Sequence, residues 1–466
     1  MKSSLRRAAA VALAAVMCLP VLSGCKDKAA GTKDGKTVIK VANWPAESST
    51  SYNDMEKIRQ EFMEKNPDVY IEKDTWGYEP QSFIMLAASN QLPTLTLIPF
   101  TEASKTKSDG YAADITDVMD KYGYLKGTNP SLLELLTDEN GRIYGVPNSA
   151  YAQGLFINKS IFKKAGLVND DGSIKIPSTY DELAQYGQII REKTGCAGLV
   201  LPTIDNGGGW NFLNIAWSYG ANFLEKETDG SYKAVFGTQE FEDALQYMYD
   251  LKWKYNALSD NSAINVNKSR EIFCTNQAGM IFFEPDSASS AAFTYGMNKD
   301  DIMAVRMPEG PKGRYSQMGG NYWIIAAHST AEQQDAAMRW LEFRGISPKV
   351  SDEIKKKWEI SAKENYDKGH IVLSRSAFDM WVDPERIKAQ NDVYKPYVNV
   401  DMKDYDDYFS FTNVVICPEP EIASQELYSV LDKAVQEVIT NKNADIDALT
   451  KQAVNDYQTN HLDKLK

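Results

Sequence analysis

Residues 37–100 alternate two hydrophobic periods, and this alternation constrains the fold more than any other feature of the chain. "TVIKVANW" is a β-branched run that predicts a strand ending at Trp44. "SYNDMEKIRQEFMEKNP" then puts Met55, Ile58 and Phe62 on one helical face, with Pro67 as a stop. "DVYIEKDTW" returns to strand alternation up to Trp76, "PQSFIMLAASNQ" suits a short helix, and "TLTLIPF" predicts a third strand closing at Phe100. Strand, helix, strand, helix, strand in this order predicts a parallel sheet covered by helices, the α/β class.

The same units recur later. Asn140-Gly141 marks a turn that leads into an extended stretch ending near Tyr151. Ser178 and Asp181 can form a capping box at the head of "STYDELAQYGQIIREKTG", and "CAGLVLP" follows as a strand. "TQEFEDALQYMYDLKWKY" is amphipathic, with Phe241, Ala244, Leu245, Met248 and Leu251 facing one way. "AGMIFFE" reads as a strand, "TAEQQDAAMRWLEFRG" as a helix, and the last forty or so residues as two further helices.

The chain begins differently. Lys2, Arg6 and Arg7 precede an apolar run from Ala8 to Val21, too short to span a bilayer and of signal-peptide length. It ends in Leu22-Ser23-Gly24-Cys25, which resembles the bacterial lipobox. That resemblance implies a signal peptide over residues 1–24, cleavage before Cys25, and lipid on the Cys25 sulfur. Residues 25–37 carry Gly, Ala, Thr, Asp and four lysines without apolar periodicity, and read as a flexible linker.

The formal charge is −13, and loss of Lys2, Arg6 and Arg7 with the signal leaves −16. Such a body lacks the clustered cations that bind phosphate backbones, so nucleic acid is excluded as a partner. Cys196, Cys274 and Cys417 are too few for a disulfide scaffold and read as small hydrophobes. Catalytic motifs are missing. The three histidines stand outside any His-Glu-x-x-His pattern, and no Gly-x-Ser-x-Gly, Walker loop or Gly-x-Gly-x-x-Gly occurs. No metal or cofactor is expected, although two carboxylates at the right separation would suffice for glycoside cleavage.

Aromatic residues at strand ends stand out instead. Ligands of open α/β sheets bind beyond the carboxyl ends of the strands. Trp44, Trp76, Phe100 and Tyr151 end predicted strands or extended segments, with Glu47, Gln153 and Asn211 as polar neighbours. Flat apolar rings beside fixed polar groups make a surface suited to a sugar.

Three stretches, taken in order, resemble a known family: "GRIYGVPNSAYAQGLFINKSIFKKAGL" with "PSTYDELAQYGQII", then "FCTNQAGMIFFEPDSASSAAF", then "GGNYWIIAAHSTAEQQDAAMRWLEF". The chain is similar to the bacterial extracellular solute-binding proteins of family 1, the carbohydrate-binding components of ABC importers. Thr94 after Pro93, and the absence of Trp after the acidic residue of "IFFEPDS", depart from the family pattern. The resemblance implies a periplasmic-binding-protein-like fold, with two α/β lobes and a ligand cleft between them. Lobe 1 would comprise residues 38–148 and 308–347, and lobe 2 residues 152–305 and 350–466. The crossings would lie near Asn148–Ala152, Arg306–Glu309 and Ile346–Lys349. It also implies a cleft formed by Trp44, Glu47, Trp76, Tyr78, Tyr151, Gln153, Trp210, Glu284, Asp286, Gly320 and Tyr322, with Gly319 beside them.

The expected function is capture of a sugar or oligosaccharide and delivery to ABC permease subunits, by a monomer held at the outer face of the membrane through its lipid. Three alternatives stay open. The same fold can bind a polyamine or an organophosphate, the chain can be a surface-anchored glycoside-cleaving enzyme, or it can be a structural surface protein. Because acyl chains supply the membrane affinity, Cys25→Ala is expected to release the protein from the membrane fraction. Unchanged detergent partitioning of the mutant would sink the lipobox reading.

Overall fold

The computed structural model describes residues 32–49, 51–376, 378–420 and 422–465. The signal peptide and Cys25 lie outside these residues. In chain order the strands are β1 (Thr32–Lys33), β2 (Lys36–Val41), β3 (Val69–Lys73), β4 (Leu95–Pro99), β5 (Val146–Ala152), β6 (Gly154–Asn158), β7 (Ala197–Val200), β8 (Leu224–Lys226), β9 (Tyr232–Ala234), β10 (Ala278–Phe283), β11 (Ile302–Val305), β12 (Tyr315–Ile325) and β13 (Val415–Pro418). They form two main sheets, one for each lobe. β1 to β5 with β12 and β13 make the first, and β6, β7, β10 and β11 make the second.

The early alternation of periods gives the expected parallel arrangement: β2 runs parallel to β3 and to β4. The helix Tyr52–Lys65 buries Phe62, and Pro80–Ala88 buries Phe83. Residues 32–37, expected to be linker, instead form a hairpin in which β1 pairs antiparallel with β2. The helix is capped one residue later than the sequence suggested, by Thr179, and the reciprocal bond of a capping box is replaced by one to the preceding residue. Thr179 accepts from the Glu182 N–H, and the Glu182 carboxylate accepts from the Ser178 N–H.

Alternation within β6 divides the second lobe into two cores. Leu155 and Ile157 face a core shared with the helices Gly207–Tyr219, Gln239–Trp253 and Ser424–Thr440. Phe156 faces the opposite way, onto Phe283 and Tyr408. The first lobe buries Ile39, Ile71, Leu95 and Val146 under Trp340 and Leu341 of the helix Ala331–Phe343.

The chain passes between lobes at Gln153, because β5 continues to Ala152 and β6 starts at Gly154. It returns between Val305 and Tyr315. The expected assignment of residues 350–466 to the second lobe needs correction. Trp381 is buried in the first core, and the Arg386 Nε–H donates to the Ser347 carbonyl oxygen at 2.9 Å. Tyr408 and Phe409 then reach the second lobe, β13 returns to pair with β12, and the last two long helices settle on the second lobe.

Trp44 also needs correction. β2 stops at Val41, three residues early. The Asn43 and Trp44 amides then donate to the Trp76 and Asp74 carbonyl oxygens, at 2.7 and 2.8 Å, which turns the chain back. The indole is 3 % exposed and stacks on Trp340 at 6.2 Å, while Trp340 meets Phe62 edge-on at 5.1 Å. Trp44 is a core residue. Its truncation to Ala is expected to cost about 3–5 kcal/mol, read as a lowered urea midpoint, with ligand affinity of the folded protein unchanged.

Candidate functional site

The expected site residues fall into three groups. The first is core. Tyr322 is fully buried, stacks on Phe100 at 5.3 Å and shares a 2.8 Å hydrogen bond with the Thr106 hydroxyl. Gly320 has φ of +147°, and a Cβ there would meet the Ser149 carbonyl oxygen at 2.2 Å. The glycine is required by the tight pairing of β12 with β5 rather than by approach to a ligand.

The second group stands on the first lobe. Glu47 is exposed and does not line the cavity described below. Trp76 is half-buried against the first core, and its indole N–H donates to the Ser82 hydroxyl at 3.1 Å. The Tyr78 hydroxyl donates to Glu102 Oε1 at 2.7 Å, and its ring packs on Phe83.

The third group lies where the lobes meet. Gln153 sits at the crossing, yet it is only 2 % exposed and its amide is bonded within the protein at both ends: Nε2 donates to Asn211 Oδ1 at 3.2 Å, and Oε1 accepts from Asn214 Nδ2 at 2.6 Å. Asn214 Oδ1 accepts from the Gln317 backbone N–H at 2.8 Å. Gln153 and Asn211 are therefore joints rather than ligand contacts. Tyr151, half-buried on β5, lies so close over Gly319 that a Cβ there would be 2.6 Å from its hydroxyl oxygen.

Trp210 is held by hydrogen bonds that sequence reasoning missed. Its indole N–H donates to Glu419 Oε1 at 2.7 Å, and the Tyr428 hydroxyl donates to the same oxygen at 3.0 Å. With its amide oriented to satisfy both groups, Gln317 donates to the Trp210 carbonyl oxygen at 2.6 Å and accepts from the same indole. The glycine-rich stretch "DNGGG" before Trp210 is pinned. Asp432 accepts from the Asn206 and Gly209 N–H groups at 2.6 Å each. Burial pushes the Glu419 carboxyl up to about 7, and the Trp210 and Tyr428 hydrogen bonds pull the other way.

Glu284 is buried beside Arg270, whose guanidinium donates to it and to the Ser287 hydroxyl at 3.1 Å each. Asp286 lines a cavity of about 390 Å³. Ser149 of the crossing strand, Ser289, His370, Arg375 and Tyr394 line it as well. None of these five was expected; Ser149 and Ser289 lie in stretches that carry the family resemblance, whereas His370, Arg375 and Tyr394 lie in a segment with no recognisable motif. The arrangement offers half-buried rings, hydroxyls, amides and carboxyls between two lobes. Among the described residues no group of His, Cys, Asp or Glu could hold a metal ion. No helix among them is long and apolar enough to cross a membrane.

The fold and the cleft define a two-lobed binding protein. The model of the family "Bacterial extracellular solute-binding protein" matches residues 46–343. The chain belongs to this family. It is 24% identical over 241 residues to the arabinooligosaccharide-binding protein of Bacillus subtilis (strain 168), a match covering 50% of this chain and 51% of that protein. The match thus spans about half the length of this curated relative. Among solved structures, maltose-bound MalE3 of T. maritima superposes with a TM-score of 0.62 at 19% identity, covering 90% of this chain and 99% of that one. UgpB of Mycobacterium tuberculosis, in complex with glycerophosphocholine, gives 0.62 at 14% identity, with 91% and 98% covered. Both show the fold.

The Glu419 carboxyl yields a pH prediction. Between its ordinary value of 4.5 and about 7 the unfolded chain releases the proton while the folded chain keeps it. Raising the pH through that window therefore removes stability, of order 1–3 kcal/mol. Urea unfolding is expected to show this loss, and Glu419→Gln is expected to flatten it.

Proposed function

We propose that the chain is an exported, lipid-anchored solute receptor that captures a sugar or oligosaccharide and delivers it to an ABC importer, as a monomer without catalytic activity. The observation that carries the reading is that Tyr151 and Trp210 both lie against β12 where the lobes meet, Tyr151 over Gly319 and Trp210 bonded to Gln317. Both are half-buried rings, and Glu419, Gln317 and Glu284 supply hydrogen-bonding groups around them. An aromatic face for the C–H side of a pyranose and fixed polar groups for its hydroxyls are what sugar recognition needs. The sugar-binding names and ligands among the relatives support the same class. The lipobox-like Leu-Ser-Gly-Cys supports the anchor.

One observation favours a second reading. Glu284, Asp286 and Glu419 all act on Tyr151 electrostatically, and such a convergence of acids suits a cationic solute such as a polyamine or a choline-bearing phosphodiester. Glu284 is already neutralised by Arg270, and a Glu419 that holds its proton up to about pH 7 attracts a cation weakly. Both facts favour an uncharged ligand.

A thermal-shift screen of sugars against polyamines and glycerophosphodiesters separates the two. A sugar at about 100 times its dissociation constant is expected to stabilise the fold by about 2.7 kcal/mol. Trp210→Ala is expected to weaken that binding by about 2 kcal/mol or more, roughly thirtyfold. Stabilisation by polyamines alone would overturn the sugar reading, and release of product from labelled oligosaccharides would overturn the non-catalytic one.

A further inference from the structure

The first two passages between the lobes are the crossing at Gln153 and the loop from Arg306 to Arg314. A cleft with half-buried walls admits cargo only if such segments bend, because the lobes themselves are close-packed cores. One short helix, Asp406–Ser410, holds both passages. It belongs to the second lobe. Lys159 Nζ donates to Asp404 Oδ2 at 2.5 Å just before it, and the Tyr408 ring packs on Phe156 at 6.4 Å.

Tyr408 grips the first passage. Its hydroxyl donates to the Ala152 carbonyl oxygen at 2.7 Å, and its ring leaves no room beside Gly154, where a Cβ would be 2.6 Å from Cδ2. Asp407, the preceding residue, grips the second. Its carboxylate accepts from the Arg306 backbone N–H at 2.9 Å. The Arg306 guanidinium brackets the same carboxylate, Nη2 to Oδ1 at 2.8 Å and Nε to Oδ2 at 3.3 Å, the strong two-point geometry of such pairs. Arg306 Nη1 also donates to the Thr412 carbonyl oxygen at 2.7 Å. At the far end of the loop the Arg314 carbonyl oxygen accepts from the Val415 N–H at 2.8 Å.

The exit of this helix shows that the grip is imposed by its surroundings. Phe411 and Asn413 have φ of +46° and +58°. Asparagine enters the left-handed region readily, but a bulky phenylalanine there is strained and persists only where the surrounding structure over-determines it. The Phe411 ring packs on Tyr408 at 5.6 Å. Neither Asp407 nor Tyr408 lines the cavity beside Asp286, so any effect of theirs on cargo runs through the crossings.

Resting on the reading of the chain as a two-lobed receptor, we propose that Asp407 and Tyr408 are positioning residues for cargo capture. Adjacent in sequence, they tie two crossings that are far apart in sequence to one turn. Neither crossing then bends without the other, and the lobes move in a single step. Arrangements in which only one crossing has yielded are not populated, so cargo meets both walls of the cleft together.

Hydrogen exchange read by mass spectrometry on the full chain, without cargo, tests this. Tyr408→Phe removes one hydrogen bond and keeps the ring, and Asp407→Asn removes the charge and one acceptor oxygen. Each substitution is expected to speed exchange about two- to tenfold in both segments, 150–156 and 305–317, including the one that it does not touch. The helix Gln239–Trp253 is expected to keep its protection, which a general loosening of the second lobe would not allow. Faster exchange only at the touched crossing, no change at either, or faster exchange throughout the second lobe overturns the proposal. Because no cargo is present, the result is separable from the receptor reading. Uncoupled crossings in a chain that a sugar stabilises overturn this inference alone, and coupled crossings in a chain that binds no solute overturn the receptor reading alone.

Discussion

The lobes are joined by a buried set of amides, and the rest of the cleft depends on it. Gln153, Asn211, Asn214, Ser316 and Gln317 are each less than 4 % exposed. Their bonds close on one another. The Gln153 N–H donates to the Gln317 carbonyl oxygen, the Ser316 hydroxyl donates to the Gln153 carbonyl oxygen, and the Asn214 amide links the Gln153 and Gln317 segments. A buried polar network stabilises a single arrangement when every member is satisfied, and is costly when one is not. The crossing at Gln153 and the start of β12 are thus tied to the helix Gly207–Tyr219 in one register. Trp210, one residue before Asn211, is thereby fixed relative to Tyr151, two residues before Gln153.

β12 extends this order into the first lobe. Along one edge its N-terminal half pairs with β13 and its C-terminal half with β4, while β5 lines the other edge. Gly319 and Gly320 sit at the middle of the strand, where Tyr151 and the β5 backbone come too close for any side chain. One strand therefore brings together three segments far apart in sequence. The cleft walls that they carry, Tyr151, Glu419 and the turn after β4, inherit their spacing from its register.

Much of this architecture was legible in the sequence because periodicity reports which face of an element is buried. Residues 37–100 specified the parallel units, and the family resemblance supplied the two lobes. Periodicity does not say where a ring turns once its strand has ended. Trp44 and Tyr151 look alike as sequence, yet backbone bonds to Asp74 and Trp76 fold Trp44 into the core. Gln153 was placed at the crossing, but packing and its partners on a distant helix bury the amide that a ligand would need. Glu419 had no local signature, since its bond to Trp210 spans 209 positions of chain. The course of residues 350–418 between the lobes was likewise set by tertiary packing of Trp381 and Tyr408, which no local pattern announces.

Asp432 carries a consequence for selectivity. A glycine-rich turn opening a helix is the place where an α/β fold most readily accepts a phosphate or carboxylate, because free N–H groups and the helix dipole converge there. In this chain that seat, at Asn206–Gly209, is filled from within by the Asp432 carboxylate. The N–H groups of this turn are therefore spent inside the second lobe, on a buried side chain 223 positions away, and are not free to hold an anion.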